Sequence, residues 1–311
     1  MFRSKYLFCA ICALLEASGA PVFGGLIITP TFDSSITSDP NSANIKATIN
    51  TVIDQYESAF LDPIKVYIRF QEMSSGLGQS NFLLYTSSYL SFRSSLQADA
   101  TTADDATALA HLPGGSTNPV TSATDILIKS ANAKALGLSP IADGVSDGTI
   151  SFNASLTNPG APGTTGQYSL MSVLEHEIDE ILGLGSTLGV ETTPPYSNQP
   201  SPEDFFRYRS PGVRSFTTDS RESAYFSIDG TTSLSPFDNS GSGDYGDWMK
   251  GDTAQVQDSF GTPGANPPLG VELRALDVIG YNFNAVPEPA SILLFASGMG
   301  ALIVVRRKRR F

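Results

Sequence analysis

Two apolar runs without a charge, residues 6–15 and 290–305, lie near opposite ends of the 311-residue chain. Whatever folds in water must be built from the sequence between them. The first run follows Met1-Phe2-Arg3-Ser4-Lys5 and leads into Ala17, Ser18, Gly19 and Ala20. A short basic start, an apolar stretch and then small residues form the layout of a secretory signal peptide, and the run is too short to span a bilayer. Residues 1–20 are therefore expected to be a leader handled by the Sec export machinery. Cys9 and Cys12 both fall inside it, so the exported chain is expected to use no disulfide. Phe8 and Ile11, which precede them, are not the small residues of a lipoprotein signal. The second run would form a helix about 24 Å long, slightly short of a bilayer core. Arg306-Arg307-Lys308-Arg309-Arg310 follow it, and such a cluster stays on the cytoplasmic side. A transmembrane helix is expected at about 290–305.

Between these ends, residues 21–285 carry 12 Lys and Arg against 29 Asp and Glu, a net charge of −17. Nucleic acid is excluded as a partner class, because phosphate binding needs a basic face. An acidic surface suits an exported soluble body and attracts Ca2+. The span is long enough for a sizeable core, and no fixed-period repeat divides it, so residues 21–284 are read as one globular domain.

Local patterns order that domain. Residues 26–32 read as a strand, placed at a sheet edge by Pro30. Residues 43–60 read as a helix, because Ile45, Ile49, Ile53 and Tyr56 fall on one stripe. Residues 64–70 alternate as a second strand, with a Gly/Ser turn at 74–78. Residues 87–111 read as two helical pieces, the second capped by Thr102. Strands are expected at 125–129 and 148–153. A helix is expected over 168–182, stopped by Gly183-Leu184-Gly185. The chain then becomes loop-rich, with one helical turn at 203–208, a hairpin about Asp229-Gly230, a polar loop at 238–247 and a last helix at 270–279. This order implies an α+β or α/β layered domain.

The chemistry concentrates on the helix at 168–182, which carries Glu175-His176-Glu177-Ile178-Asp179-Glu180. His176 and Glu180 are four residues apart and share one helical face. That spacing suits a pair of ligands on one metal ion, with Glu177 as general base for an activated water. Two ligands alone hold zinc weakly, and His111, Glu203, Asp204 or another distant carboxylate are the candidates for the third. A second metal candidate is the loop from Asp238 to Asp244. It places oxygens at its first, third, fifth and seventh positions and Gly243 at its sixth, in the manner of a Ca2+ loop. Met249 stands where such a loop has its closing Glu.

Two family resemblances follow from these residues. Val286-Pro287-Glu288-Pro289, the apolar run with its glycines and the Arg-rich end resemble a PEP-CTERM sorting segment over 285–310. This resemblance implies an exosortase-type membrane processing enzyme as partner and a Gram-negative, exopolysaccharide-making source. It also implies a chain anchored transiently in the inner membrane before reaching the cell surface or extracellular matrix. His176, Glu177 and Gly183 resemble the zincin metallopeptidase motif His-Glu-x-x-His-x-x-Gly-x-x-His, with Glu180 in place of the second histidine and Ser186 in place of the third. Segments 203–208, 243–248 and 275–282 are similar to those of PEP-CTERM metalloproteases with a His-Glu-x-x-Glu variant. The implied fold is a zincin-like single domain, a mixed sheet packed on the active-site helix. The implied activity is zinc-dependent hydrolysis of peptide bonds in a protein or peptide substrate by a metal-activated water, with His176 and Glu180 as ligands and Glu177 as base. The alternative is a non-catalytic matrix or surface protein on a degenerate zincin scaffold.

Overall fold

The computed structural model describes residues 24–139, 142–159, 166–188, 199–241 and 243–284. The expected leader at 1–20 and the expected membrane helix at 290–305 lie outside these residues. Twelve strands and seven α-helices follow in chain order among the described residues. The first part contains β1 (Ile27–Phe32), α1 (Ser34–Thr37), α2 (Ser42–Ala59), β2 (Lys65–Glu72), β3 (Gly78–Phe82), β4 (Leu84–Ser88), α3 (Tyr89–Asp99) and α4 (Ala103–His111). The middle contains β5 (Asp125–Lys129), α5 (Ser130–Ala135), β6 (Gly148–Phe152), β7 (Thr157–Asn158), β8 (Tyr168–Ser169) and α6 (Leu170–Leu182). The last part contains β9 (Arg207–Ser210), β10 (Val213–Arg214), β11 (Tyr225–Phe226), β12 (Ser235–Pro236) and α7 (Val271–Val278).

The main sheet has the order β1-β2-β6-β3. Its first three strands are parallel, and β3 runs antiparallel to β6 at the far edge. Pro30 sits in β1, the opposite edge, where its missing N–H breaks no ladder. The crossover from β1 to β2 is made by α2, whose Ile45, Ile49, Ile53 and Tyr56 are all buried, as the stripe predicts. Val66, Ile68 and Phe70 of β2 and Ile150 and Phe152 of β6 enter the same core. The fold is therefore mixed α and β, with α6 packed against α2, β3 and β6.

Four local expectations need correction. Ser87 and Ser88 belong to β4, which pairs antiparallel with β5, so α3 starts at Tyr89 rather than at 87. Tyr168 and Ser169 pair with β7 in a two-residue ladder, and α6 begins after them, where the Ser169 side chain accepts from Ser172 N. The turn expected over 203–208 is a 3-10 helix at Glu203–Phe206, and the chain then extends into β9, because Arg207 and Tyr208 pair with β11. The sequence pattern predicts neither β3 nor β4 between the turn at 74–78 and the helix after it; both form by antiparallel pairing, with β6 and β5. The remaining pieces fall where the patterns put them: α4 carries a capping box of Thr102 and Asp105, and Asp229 accepts from Thr231 N and Thr232 N in the hairpin between β11 and β12.

Candidate metal centre

The candidate centre begins with α6. Leu170, Leu174, Ile178, Ile181 and Leu182 are buried on the core side, and this holds the opposite face at the mouth of a cleft of about 610 Å³. The helix stops at Gly183, whose φ of 151° a side chain would not tolerate. His176, Glu177 and Glu180 all line the cleft, beside the antiparallel edge strand β3.

A third candidate ligand comes from far along the chain. One donor atom from each of His176, Glu180 and Asp247 lies within 4.8 Å of the others, and no other group of three or more such residues converges in this way among the described residues. His176 Nε2 stands 3.6 Å from Glu180 Oε1 and 3.7 Å from Asp247 Oδ1. Ligand atoms held at ~2.0–2.1 Å from a tetrahedral zinc are roughly 3.4 Å apart, so the spacing accommodates such an ion.

Asp247 is delivered by its neighbour Trp248, the only tryptophan of the chain. The indole is buried among Phe226 and Phe237, and its Nε1–H donates to Glu272 Oε1 at 3.2 Å. Trp248 N donates to Gln257 O at 2.7 Å, and the Gln257 side chain returns to donate to Asp247 Oδ1 at 2.9 Å. The same segment supplies Val256 O, 3.1 Å from His176 Nδ1. A proton on Nδ1 donated to this carbonyl turns Nε2 toward the two carboxylates; in the metal-free protein Nε2 carries its own proton, and it would offer a lone pair only where a metal displaced that proton.

Electrostatics reinforce that reading. Burial works against a charged His176, yet Asp247 and Glu180 outweigh it and raise the imidazole well above the usual histidine range. Burial alone would raise Glu180, but His176, Lys129 and a hydrogen bond from Ser80 Oγ bring it below the ordinary carboxylate range. Asp247 is raised by burial, with Glu180 and Asp244 adding to the effect and His176 opposing it. In the metal-free protein the imidazolium of His176 thus supplies the positive charge between the two carboxylates, the place a divalent cation would take.

Glu177 sits beside the triad with 5% of its surface exposed. Its Oε2 is buried and makes no hydrogen bond, and burial followed by the charge of Glu180 raises its carboxyl well above the usual range. The carboxylate lies against the backbone of Gly78, where a Cβ would overlap it.

The other sequence candidates stand elsewhere. His111 is exposed at the end of α4, with Nδ1 2.8 Å from Thr107 O. Glu203 accepts from Gly185 N, and Asp204 accepts from Ser186 Oγ at 2.6 Å and Ser201 N at 2.8 Å. Ser186 therefore closes the helix exit. In the polar loop, Asp238 accepts from Ser240 N and Oγ, while Asp244 accepts from Ser186 N and Gly246 N. Ser242, at the fifth position of that loop, lies outside the described residues. Sequence spacing does not mark Asp247 as a candidate ligand. The density of aspartates beside the lone tryptophan in Gly243-Asp244-Tyr245-Gly246-Asp247-Trp248 was the signal available.

No curated protein and no solved structure matches the chain. No helix among the described residues is long and apolar enough to cross a membrane. Residues 285–310 match the PEP-CTERM protein-sorting motif. The chain thus ends in a motif that marks exported, surface-sorted proteins, implies membrane anchoring for sorting, and is recognised by exosortase-type processing enzymes.

Proposed function

We propose that the exported body is a zincin-like, zinc-dependent peptidase whose ligands are His176, Glu180 and Asp247 and whose general base is Glu177. The observation that carries this reading is the convergence of the three donor atoms within 4.8 Å at the cleft mouth, beside a buried, unbonded carboxylate oxygen. Three protein ligands and an open position are the donor set of a catalytic zinc. The ion would polarise a substrate carbonyl and lower the pKa of a water molecule. The protein's own groups do the rest. Val256 O holds the His176 tautomer. Glu177 takes the proton of the attacking water and returns it to the departing amine nitrogen, a transfer typically worth 10²–10⁴ in rate. The β3 strand ends the sheet beside the cleft, so its outer edge suits an extended polypeptide added as a further strand.

A second reading, a non-catalytic surface protein on the same scaffold, is favoured by the internal satisfaction of two residues: Ser80 donates to Glu180, and Ser186, at the place of the third histidine, is bonded to Asp204. Metal content separates the two. The protein purified with zinc should hold one ion per chain by elemental analysis. His176→Ala and Asp247→Ala should lose metal and peptidase activity together. Glu177→Gln should keep the metal and lose about 100-fold or more of the activity. A folded wild-type protein that takes up no zinc overturns the peptidase reading.

A further inference from the structure

Apart from His176, the ionisable side chains lining the cleft are acidic: Glu180 and Asp247 of the triad, and Glu177, Asp244 and Asp258 beyond it, with no Lys or Arg among them. Four of these have work assigned. Glu180 and Asp247 face His176, Glu177 lies against Gly78, and Asp244 accepts two backbone N–H groups. Asp258 differs. It is 4% exposed, its Oδ2 accepts from Gln255 N at 2.9 Å, and its Oδ1 is buried without any hydrogen bond. A carboxylate oxygen desolvated and left unbonded is costly, and a donor brought in by a ligand relieves that cost. The same cleft presents Leu77, Tyr168 and Phe260, and Phe260 is 47% exposed. Apolar surface beside a buried carboxylate suits a side chain with a long aliphatic stem and a cationic head.

We infer that Asp258 forms the end of a subsite for a Lys or Arg side chain, so the cleft selects basic peptides. The assignment rests on the reading of this cleft as a peptide site, and it requires binding rather than cleavage. The net charge of −17 over residues 21–285 acts in the same direction, by drawing basic chains toward the surface.

The test uses the full chain, zinc-supplied and carrying Glu177→Gln so that no cleavage intervenes. Two fluorescein-labelled hexapeptides are compared by anisotropy, one with a central Arg and one with citrulline, which keeps the shape and removes the charge. The Arg peptide should bind about 10-fold tighter or more. Asp258→Asn should remove the difference, with the thermal midpoint recorded to confirm folding. Equal affinities for the two peptides in the Asp258 chain overturn the inference without any appeal to the variant, and so does a preference that survives in folded Asp258→Asn. Wild-type protein that binds the Arg peptide tightly but never cleaves it removes the peptidase reading and leaves the basic subsite standing. Cleavage of both peptides at the same rate does the reverse.

Discussion

At the scale of single residues, the candidate centre depends on one missing side chain as much as on those present. Gly78 opens β3, and the Glu177 carboxylate occupies the space in which a Cβ would stand. Gly78→Ala should therefore push aside the Glu177 carboxylate and the Val173 side chain, while the added methyl meets none of His176, Glu180 and Asp247. The expected outcome is unchanged zinc content with peptidase turnover reduced about 10-fold or more, since small misplacements of a catalytic group are costly. Zinc titration beside a pH–rate profile checks it. Loss of zinc in Gly78→Ala would mean that the strand, and not the base, had moved. Of the site residues, His176, Glu177 and Glu180 were legible because helical spacing alone brings them to one face. Asp247 was not. It lies 67 residues beyond Glu180 in the chain, and tertiary structure, the burial of Trp248 and the bond from Gln257, brings its carboxylate to the helix.

At the scale of elements, periodicity revealed those that bury one face. The stripe of α2 and the alternation of β2 each had an apolar signature, and each formed. The β3 strand had none. Its sequence is Gly-Gln-Ser-Asn-Phe, half-buried on the face of Gly78, Ser80 and Phe82 and exposed on the face of Gln79 and Asn81, and it is a strand because β6 offers a partner. Such edge strands take their conformation from tertiary pairing rather than from pattern. Caps were legible for the opposite reason, being local. Thr102 Oγ1 accepts from Asp105 N at 3.0 Å and donates to Asp277 Oδ2 at 2.7 Å, so one hydroxyl both starts α4 and ties it to α7. Thr102→Val should cost roughly 2 kcal/mol, from the lost cap together with a buried carboxylate deprived of its donor. Urea denaturation measures it, and zinc content should not change.

At the scale of the whole molecule, buried acids couple stability to pH. Burial, only partly offset by the hydrogen bonds from Asn282, raises Asp62 to about 6, and burial raises Asp277 to about 7 despite the bond from Thr102. Both carboxyls ionise near their ordinary value of 3.8 when unfolded. Between that value and the folded one, the native state binds more protons, so stability falls as pH rises, by at most about 1.4 kcal/mol per pH unit for each group. The raised His176 and Asp247 act with the same sign in metal-free protein. Chelator-treated protein should thus show a higher urea midpoint at pH 5 than at pH 7.5. A midpoint that rises with pH over this interval contradicts the assignment.

The end of the described body has a consequence for maturation. Asn282 N donates to Asp62, Phe283 bridges Phe60, and Asn284 N donates to Ala59 O at 2.7 Å. The sorting motif begins at the next residue, 285. Only five residues, 285–289, separate this clamp from the apolar run at 290–305, and fully extended they reach no more than about 18 Å. The leash is short. A processing enzyme that acts at the Pro-Glu-Pro segment works within about 18 Å of the end of the described body, so the shape of that end of the body becomes part of what the enzyme has to accommodate.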